Sequence, residues 1–446
     1  MKILIAGAGE VGTLLTKMLS QQNHEITVID PSVDRLQYIS NHYDVTTLLG
    51  ASDSLDLLRE AGIKKTDLLV AVNPNHQLNI ISGILGKKLG ARKTIARIDN
   101  DEYLYPKNKQ YFLELGIDSL IYPEKLAANE VINLLSQTGT TEIVDFSGGL
   151  LSLYVIKLDE NAPIINHTLE EALKNSKNFN YRAVAIHRHG HTIIPRGSDV
   201  FHVGDLVHVI TNKEGIPTLM EFSGKKKVEL KNLMIIGGSR IGRRVAKKLQ
   251  SQFSIRMIEY NKELCYQLSE ELHNTLVINA DGRNMDMLIE EEIQRMDGLI
   301  AVTGHSETNI LACLAAKQFG VKKTIAEIEN IDYIDLAENI DVDTIINKKL
   351  IAASHIYSFT LGDEIRSVKC LTGTDADVLE FVAKPGSKIT RAQIKDLDFP
   401  KGAIIGGIIR GDKVFIAKGD SQVLDHDIVV VFSLPVIVQK VEKFFQ

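Results

Sequence analysis

The feature that most constrains this chain is an internal duplication. MKILIAGAGEVG (Met1 to Gly12) is answered by NLMIIGGSRIG (Asn232 to Gly242), LLVAV (Leu68 to Val72) by GLIAV (Gly298 to Val302), and TIARI (Thr94 to Ile98) by TIAEI (Thr324 to Ile328). Gly7 and Gly237, Leu68 and Gly298, and Thr94 and Thr324 are each 230 positions apart. Asn79-Ile80 and Asn309-Ile310 keep the same offset. Several separated blocks at one spacing mark two copies of one structural unit. With 446 residues, the chain is long enough to build each copy from more than one domain.

Each copy opens with the pattern of a doubly wound parallel sheet. Ile3 to Ala6 is a continuous apolar run, as expected of a strand covered on both faces. After the glycines, Val11, Leu14, Leu15, Met18 and Leu19 fall on one helical stripe, and ITVID returns to a strand. Further strands are expected at Val45–Leu49, Leu68–Val72, Thr94–Ile98 and Ser119–Tyr122, with helices between most of them. From about Glu142 the period shortens toward two, in LLSLYVIKL, YRAVAIHRHG and DLVHVI. The tail from about Arg366 repeats this change, with FHVGDLVHVI answered by VLDHDIVVVF. The expected fold is therefore α/β: a tandem duplication of a Rossmann-like doubly wound domain, each copy followed by a small β-rich α+β module. The expected partition is 1–140 and 141–222 for the first copy, a basic linker at 223–231, then 232–360 and 361–446 for the second.

Composition narrows the function classes. Lys+Arg 51 against Asp+Glu 57 gives a net charge of −6, which argues against a general grip on the nucleic-acid backbone. No stretch offers about 18 uninterrupted apolar residues, and the chain enters a strand directly, so a membrane span and a secretory leader are not expected. Cys265, Cys313 and Cys370 form neither a disulfide framework nor a CxxC site. A soluble, cytoplasmic protein is the expectation. The lysine-rich stretch GKKKVELK (Gly224 to Lys231) reads as a solvated connector, with anionic lipid or a partner as the alternative.

Chemistry concentrates in the glycine-rich turns. Gly7, Gly9 and Gly12 stand in G-x-G-x-x-G register between a strand and a helix. The first allows a tight turn, the second lets a pyrophosphate approach the backbone, and the third lets the helix pack closely. The free amides at the helix start favour an anion. Asp30 ends the next strand 18 residues after Gly12, placed to accept ribose hydroxyls and to repel a 2′-phosphate. NAD(H) or an adenine nucleotide is thus favoured over NADP(H). Asn73, before Pro74, is either a ligand contact or a turn residue. Arg97 interrupts an apolar strand and needs an anion, from a ligand phosphate or from a protein carboxylate.

The second copy departs from the first. Ser239 replaces the second glycine, so a Cβ is expected to intrude on the phosphate approach. Glu327 replaces Arg97. Arg240, Arg243 and Arg244 add positive charge at the helix start. Glu259 supplies the ribose-type acid and Asp281 follows the third strand. That site binds the same cofactor, a different nucleotide, or nothing. His187, His189 and His191 in HRHGH suggest a metal, but without a carboxylate or thiolate at ligand spacing an exposed hairpin is preferred. GGSRI does not complete G-x-S-x-G, and no paired carboxylates or Cys/His set falls on one site. No enzymatic activity is expected.

With its tandem glycine turns and companion β-rich modules, the chain resembles the TrkA family, regulatory subunits of bacterial Trk potassium uptake built from duplicated RCK (regulator of potassium conductance) domains. The resemblance rests on MKILIAGAGEVG…ITVID, LREAGIKKTDLLVAVN, TIARIDN and their counterparts, and covers essentially the whole chain. It implies a cytosolic ring of four chains on a potassium-translocating membrane subunit of the TrkH or TrkG type, sensing NAD(H) and also ATP or ADP. Carried over, the first nucleotide site comprises Gly7, Ala8, Gly9, Glu10, Val11, Asp30, Asn73, Pro74 and Arg97. The second comprises Gly237, Gly238, Ser239, Arg240, Ile241 and Glu259, with Asp281, Val302 and Thr303. A regulator of another cation channel or antiporter, and an NAD-dependent dehydrogenase, are the alternatives.

Overall fold

A computed structural model describes residues 1–22, 24–136, 142–174, 180–188, 191–224, 229–340, 342–361, 365–370 and 376–446. The first sheet contains β1 (Lys2–Ala6), β2 (Glu25–Asp30), β3 (Thr46–Leu49), β4 (Leu68–Ala71), β5 (Lys93–Arg97) and β6 (Ser119–Ile121). They lie in the order β3-β2-β1-β4-β5-β6, with every pair parallel. This order reverses direction between β1 and β4, so a crevice opens outside their carboxyl ends. β4 is buried throughout, which is why its sequence is a continuous apolar run.

The first β-rich module follows, with β7 (Glu142–Phe146), β8 (Leu151–Lys157), β9 (Tyr181–Arg188), β10 (His191–Ile193) and β11 (Leu206–Thr211) in the order β10-β9-β11-β8-β7, all antiparallel. The second copy repeats both sheets. Its β12 (Asn232–Ile236), β13 (Ser254–Glu259), β14 (Thr275–Asn279), β15 (Gly298–Ala301), β16 (Lys323–Glu327) and β17 (Thr344–Ile346) form the parallel sheet β14-β13-β12-β15-β16-β17. Then β18 (Ile365–Cys370), β19 (Asp377–Val382), β20 (Ala403–Arg410), β21 (Lys413–Ile416) and β22 (Ile428–Ser433) form the sheet β18-β19-β22-β20-β21. The duplication is therefore of architecture as well as of sequence.

Two compact units result, and they do not follow chain order. One comprises Met1–Leu126 and Lys348–Gly362, the other Ala127–Asn347 and Asp363–Gln446. In the first unit, the helix Lys348–Tyr357 packs along the helix Glu10–Ser20. Lys349 Nζ lies 2.5 Å from Glu10 Oε2, and the Gln22 side-chain amide donates to the Tyr357 hydroxyl. The expected stripe on the helix Glu10–Ser20 divides accordingly. Val11, Leu15 and Leu19 are buried, whereas Leu14 and Met18 are half-buried.

In the second unit the two antiparallel sheets share one core. Leu151, Leu153, Val184 and Ile210 of the first module cluster with Val378, Ile409, Val430 and Phe432 of the second. Glycines let the sheets approach: a Cβ on Gly406 would stand 2.0 Å from Ile210 Cδ1. His208, on β11, is fully buried, its ring centroid 5.9 Å from that of Phe432. Burial, reinforced by nearby His187, pushes its imidazole down to about 3. Because the folded pKa lies below the unfolded one, this histidine's contribution is complete above about pH 6.5 and is lost as pH falls toward 3. Between pH 7 and pH 5 the loss attributable to His208 is about 2 kcal/mol. His208→Leu is expected to flatten that part of the stability profile, measured as the difference in Tm between the two pH values. An unchanged difference refutes it.

Of the HRHGH segment, His187 and Arg188 end β9 and His191 opens the antiparallel β10, with Arg188 opposite His191 and His187 opposite Thr192. His189 and Gly190 lie outside the described residues, as do 225–228 of the lysine-rich connector.

Candidate nucleotide site

The glycine turn of the first copy sits at the carboxyl end of β1. Gly7 has φ +113°, a conformation that suits glycine alone, and a Cβ there would stand 2.9 Å from the Asn73 backbone nitrogen. Gly12 begins the helix so close to the turn that a Cβ would lie 1.9 Å from the Gly7 carbonyl oxygen. Gly9 differs. Its φ of −71° is ordinary, and a Cβ would meet nothing within 4 Å. No neighbour within the protein requires glycine at this position. The open volume in front of it, at the amide-bearing start of a helix, is where an anion would approach.

Asp30, the residue expected to meet a ribose, has a task within the protein. Its side chain is buried, with Oδ2 accepting the Ala8 N–H at 2.7 Å and Oδ1 accepting the Ser32 N–H at 2.8 Å. The carboxylate thus latches the glycine turn to the end of β2, and Arg35 Nη1 stands 3.8 Å from its Oδ2. Glu259 does the same in the second copy, accepting from Gly238 N–H and Asn261 N–H, both at 2.7 Å.

Asn73, expected as a ligand contact or a turn residue, is a hub of internal hydrogen bonds. It is buried, and its Nδ2 lies 3.2 Å from Ala6 O, 3.1 Å from Ser52 Oγ and 3.1 Å from Asn79 Oδ1. Pro74 beside it is exposed, and Asn75 then caps the helix His76–Leu89 by accepting from Gln77 and Leu78. Asn79 was visible in the sequence only as a mark of the repeat. It is fully buried, accepts the Asn73 N–H at 2.7 Å, and donates to Asn73 O at 2.9 Å and Arg97 O at 3.0 Å. It ties the ends of β4 and β5 together across the mouth of the crevice. Asn309 repeats the device, donating to Thr303 O at 3.0 Å and Glu327 O at 2.7 Å.

Arg97 ends β5 half-buried, and among the described residues its guanidinium has no hydrogen-bond or ion-pair partner. A half-buried cation without a counter-ion on the ligand edge of the sheet suits an anionic ligand. Open space at Gly9, a helix start, a buried acid and a free guanidinium together fit a dinucleotide. Gly7, Gly9, Asp30 and Asn73 are joined through direct contacts or the turn itself, while Arg97 is placed through its carbonyl.

The second copy keeps the frame and changes the lining. Gly237 has φ +103° and packs against Val302 and Thr303, and Ile241 is buried in the helix Arg240–Leu249. Ser239 stands at the position of Gly9, and its hydroxyl caps the helix by accepting the Gly242 N–H at 3.3 Å. One amide of this turn is therefore already satisfied. Thr303 replaces Asn73, its N–H and hydroxyl donating to Asn309 Oδ1 at 3.0 and 2.7 Å. Arg243 pairs with Glu271, Arg240 is exposed, and Glu327 is buried. Asp281 is held by Arg283 at 2.8 Å, which keeps its carboxyl below the usual range.

Two family models match the chain, the TrkA-N domain over residues 3–123 and 233–348 and the TrkA-C domain over 153–224 and 378–446. The chain belongs to the TrkA family. It is 31% identical over 451 residues to the Trk system potassium uptake protein TrkA of Halomonas elongata, covering 100% of this chain and 99% of that protein. It is 32% identical over 448 residues to a Trk system potassium uptake protein TrkA homolog of Archaeoglobus fulgidus, with both chains covered completely. Among solved structures it is similar in fold to the GsuK RCK domain, at TM-score 0.60 and 16% identity, covering 99% of this chain and 94% of that one. It is similar to the GsuK channel bound to NAD at TM-score 0.59 and 16% identity, covering 100% and 78%. The family assignment covers both copies, so the differences between the two glycine turns are variation within one family frame.

Proposed function

We propose that this chain is the cytosolic regulatory subunit of a Trk-type potassium uptake system, binding NAD(H) in its first copy and setting potassium flux through a membrane subunit of the TrkH or TrkG type. The observation that carries the reading is the open space at Gly9, which nothing within the protein requires. The unpartnered Arg97 supplies complementary charge, and Asp30, at the end of β2, is the residue proposed to recognise the ribose. The naming of full-length relatives as Trk potassium uptake proteins, and of one fold neighbour as an NAD-bound channel, supports the physiological setting. Among the described residues no helix is long and apolar enough to cross a membrane, so the translocating pore is assigned to a partner. A ring of four chains at the cytosolic face, with ATP or ADP as a competing or second ligand, completes the proposal. Regulation rather than catalysis is its content.

A nucleotide shifts such a ring only by binding one arrangement more tightly than another. A 100-fold preference is worth about 2.7 kcal/mol per site, and several sites per ring multiply the leverage. The second copy carries Ser239 in place of the second glycine, and the proposal is one NADH per chain. The test is potassium flux through a Trk membrane subunit in vesicles, with this chain added or omitted, across NADH, NAD⁺, ADP and ATP. Flux should depend on both chain and nucleotide. Asp30→Ala should weaken NADH binding about tenfold or more and abolish the nucleotide response. Nucleotide binding without any effect on flux would favour a regulator of a different cation transporter.

A further inference from the structure

The paired β-rich modules line a partly open cavity of about 440 Å³, and none of its lining residues belongs to either glycine turn. This is within the size range of small-molecule sites, roughly 300–1,000 Å³. Its walls are aliphatic and aromatic: Ile156, Leu158, Phe201, Val209, Leu219 and Phe222 come from the first module, and Ile404 and Ile416 close it from the second. These are side chains that a sheet and helix ordinarily bring into mutual contact. Ile156, Leu158, Phe201, Val209 and Leu219 belong to the buried core of the first module, and the cavity is set against that core.

Among the described residues, the charged side chains on the wall are cations: Arg182, Arg196 and Lys418. Arg182 is the informative one. It is half-buried on β9, its guanidinium donates to the Ala417 carbonyl across the module boundary, and among the described residues no carboxylate faces it. Burial without a counter-ion pushes its pKa down from the ordinary value. A guanidinium carries five donors in a planar fork suited to a carboxylate, and one carbonyl leaves most of that fork unused. The duplication sharpens the point. Matching Arg188 to Arg410 and Asp205 to Asp427 sets Arg182 against Ile404, so the cation belongs to one copy only. A residue needed for the sheet pairing itself would be expected in both.

We propose that this cavity binds an amphipathic carboxylate, its apolar body among the aliphatic and aromatic walls and its carboxylate on Arg182. Such a ligand touches both modules at once and so adds contacts across their shared boundary. The proposal stands independently of the nucleotide site.

The test uses the full chain and two probes of equal length, decanoate and decan-1-ol, titrated by calorimetry below their aggregation thresholds. Decanoate is expected to saturate at one per chain and to bind about tenfold or more tightly than the alcohol, since only the carboxylate engages Arg182. Arg182→Gln should abolish that difference while leaving alcohol binding unchanged. The absence of saturable decanoate binding, equal affinity for the two probes, or an undiminished preference in Arg182→Gln each overturns the proposal. The comparison of probes in the unaltered chain decides the matter even if the variant fails to fold.

Discussion

Arg188→Ala is expected to destabilise the paired β-rich modules by about 3–5 kcal/mol, the cost of breaking a buried ion pair by removing one partner. Arg188 grips Asp205 with a planar fork, Nε to Oδ1 and Nη2 to Oδ2, both at 2.7 Å. Asp205 is 1% exposed and also accepts the His202 N–H at 2.8 Å, while Arg188 Nη2 donates to Val200 O at 2.8 Å. One side chain therefore fastens the end of β9 to the turn that opens β11. Removing it leaves a carboxylate in the interior with a single amide. Arg410 and Asp427 repeat the arrangement at 2.8 and 2.7 Å. The Arg410 side chain is 38% exposed, so water can partly replace it and Arg410→Ala should cost less. Chemical unfolding followed by circular dichroism measures both. Replacing the first pair together by apolar residues, as in R188M with D205L, should recover much of the loss. Equal, small effects at Arg188 and Arg410 would show that neither pair is anchored as described.

Gly12→Ala and Gly9→Ala should separate folding from binding. A methyl group on Gly12 would sit 1.9 Å from a backbone oxygen and 3.0 Å from its carbonyl carbon, with Val72 behind. The turn must move as a whole, at a cost of about 2–4 kcal/mol, and the amide cradle moves with it. NADH binding to the first copy should become undetectable. At Gly9 the same methyl group meets nothing, so stability should stay within about 0.5 kcal/mol of the parent. Binding should nonetheless fall at least about tenfold, because that methyl occupies the approach of the pyrophosphate. Thermal melts and NADH titrations on the two variants give the four values needed. A Gly9→Ala chain that binds NADH normally would remove the main support for the nucleotide reading.

Much of this was readable from local pattern. The duplication, the apolar runs of the parallel strands and the glycine register each depend on neighbours in sequence, and each reappears as a sheet order, a buried strand or a turn with positive φ. FHVGD and VLDHD carry the buried aspartates in plain view, although their arginine partners lie 17 positions away. Other features required the third dimension. Asn79 and Asn309 could be seen to repeat, but their task of joining two strand ends is invisible until β4 and β5 are adjacent. Asp30 is legible as a strand-end acid, but its hold on the glycine turn through the Ala8 and Ser32 N–H groups depends on the bend of the chain. Asn73, read as ligand contact or turn residue, is occupied by Ala6, Ser52 and Asn79, three places far apart in the chain. The helix Lys348–Tyr357 packs along the helix Glu10–Ser20 from far along the chain. Helical periodicity reports that an apolar face exists, not which segment covers it.

That late segment also orders events during synthesis. The helix Glu10–Ser20 leaves the ribosome among the first residues made, yet the helix that packs along it is about 330 residues downstream. At translation speeds of roughly 5–20 residues per second, the nascent first unit waits some tens of seconds with that face uncovered. A chain terminated anywhere before Lys348 would lack the covering permanently. Premature products of this gene should therefore be recognised by chaperones or proteases through a surface at their amino-terminal end, far from the truncation itself.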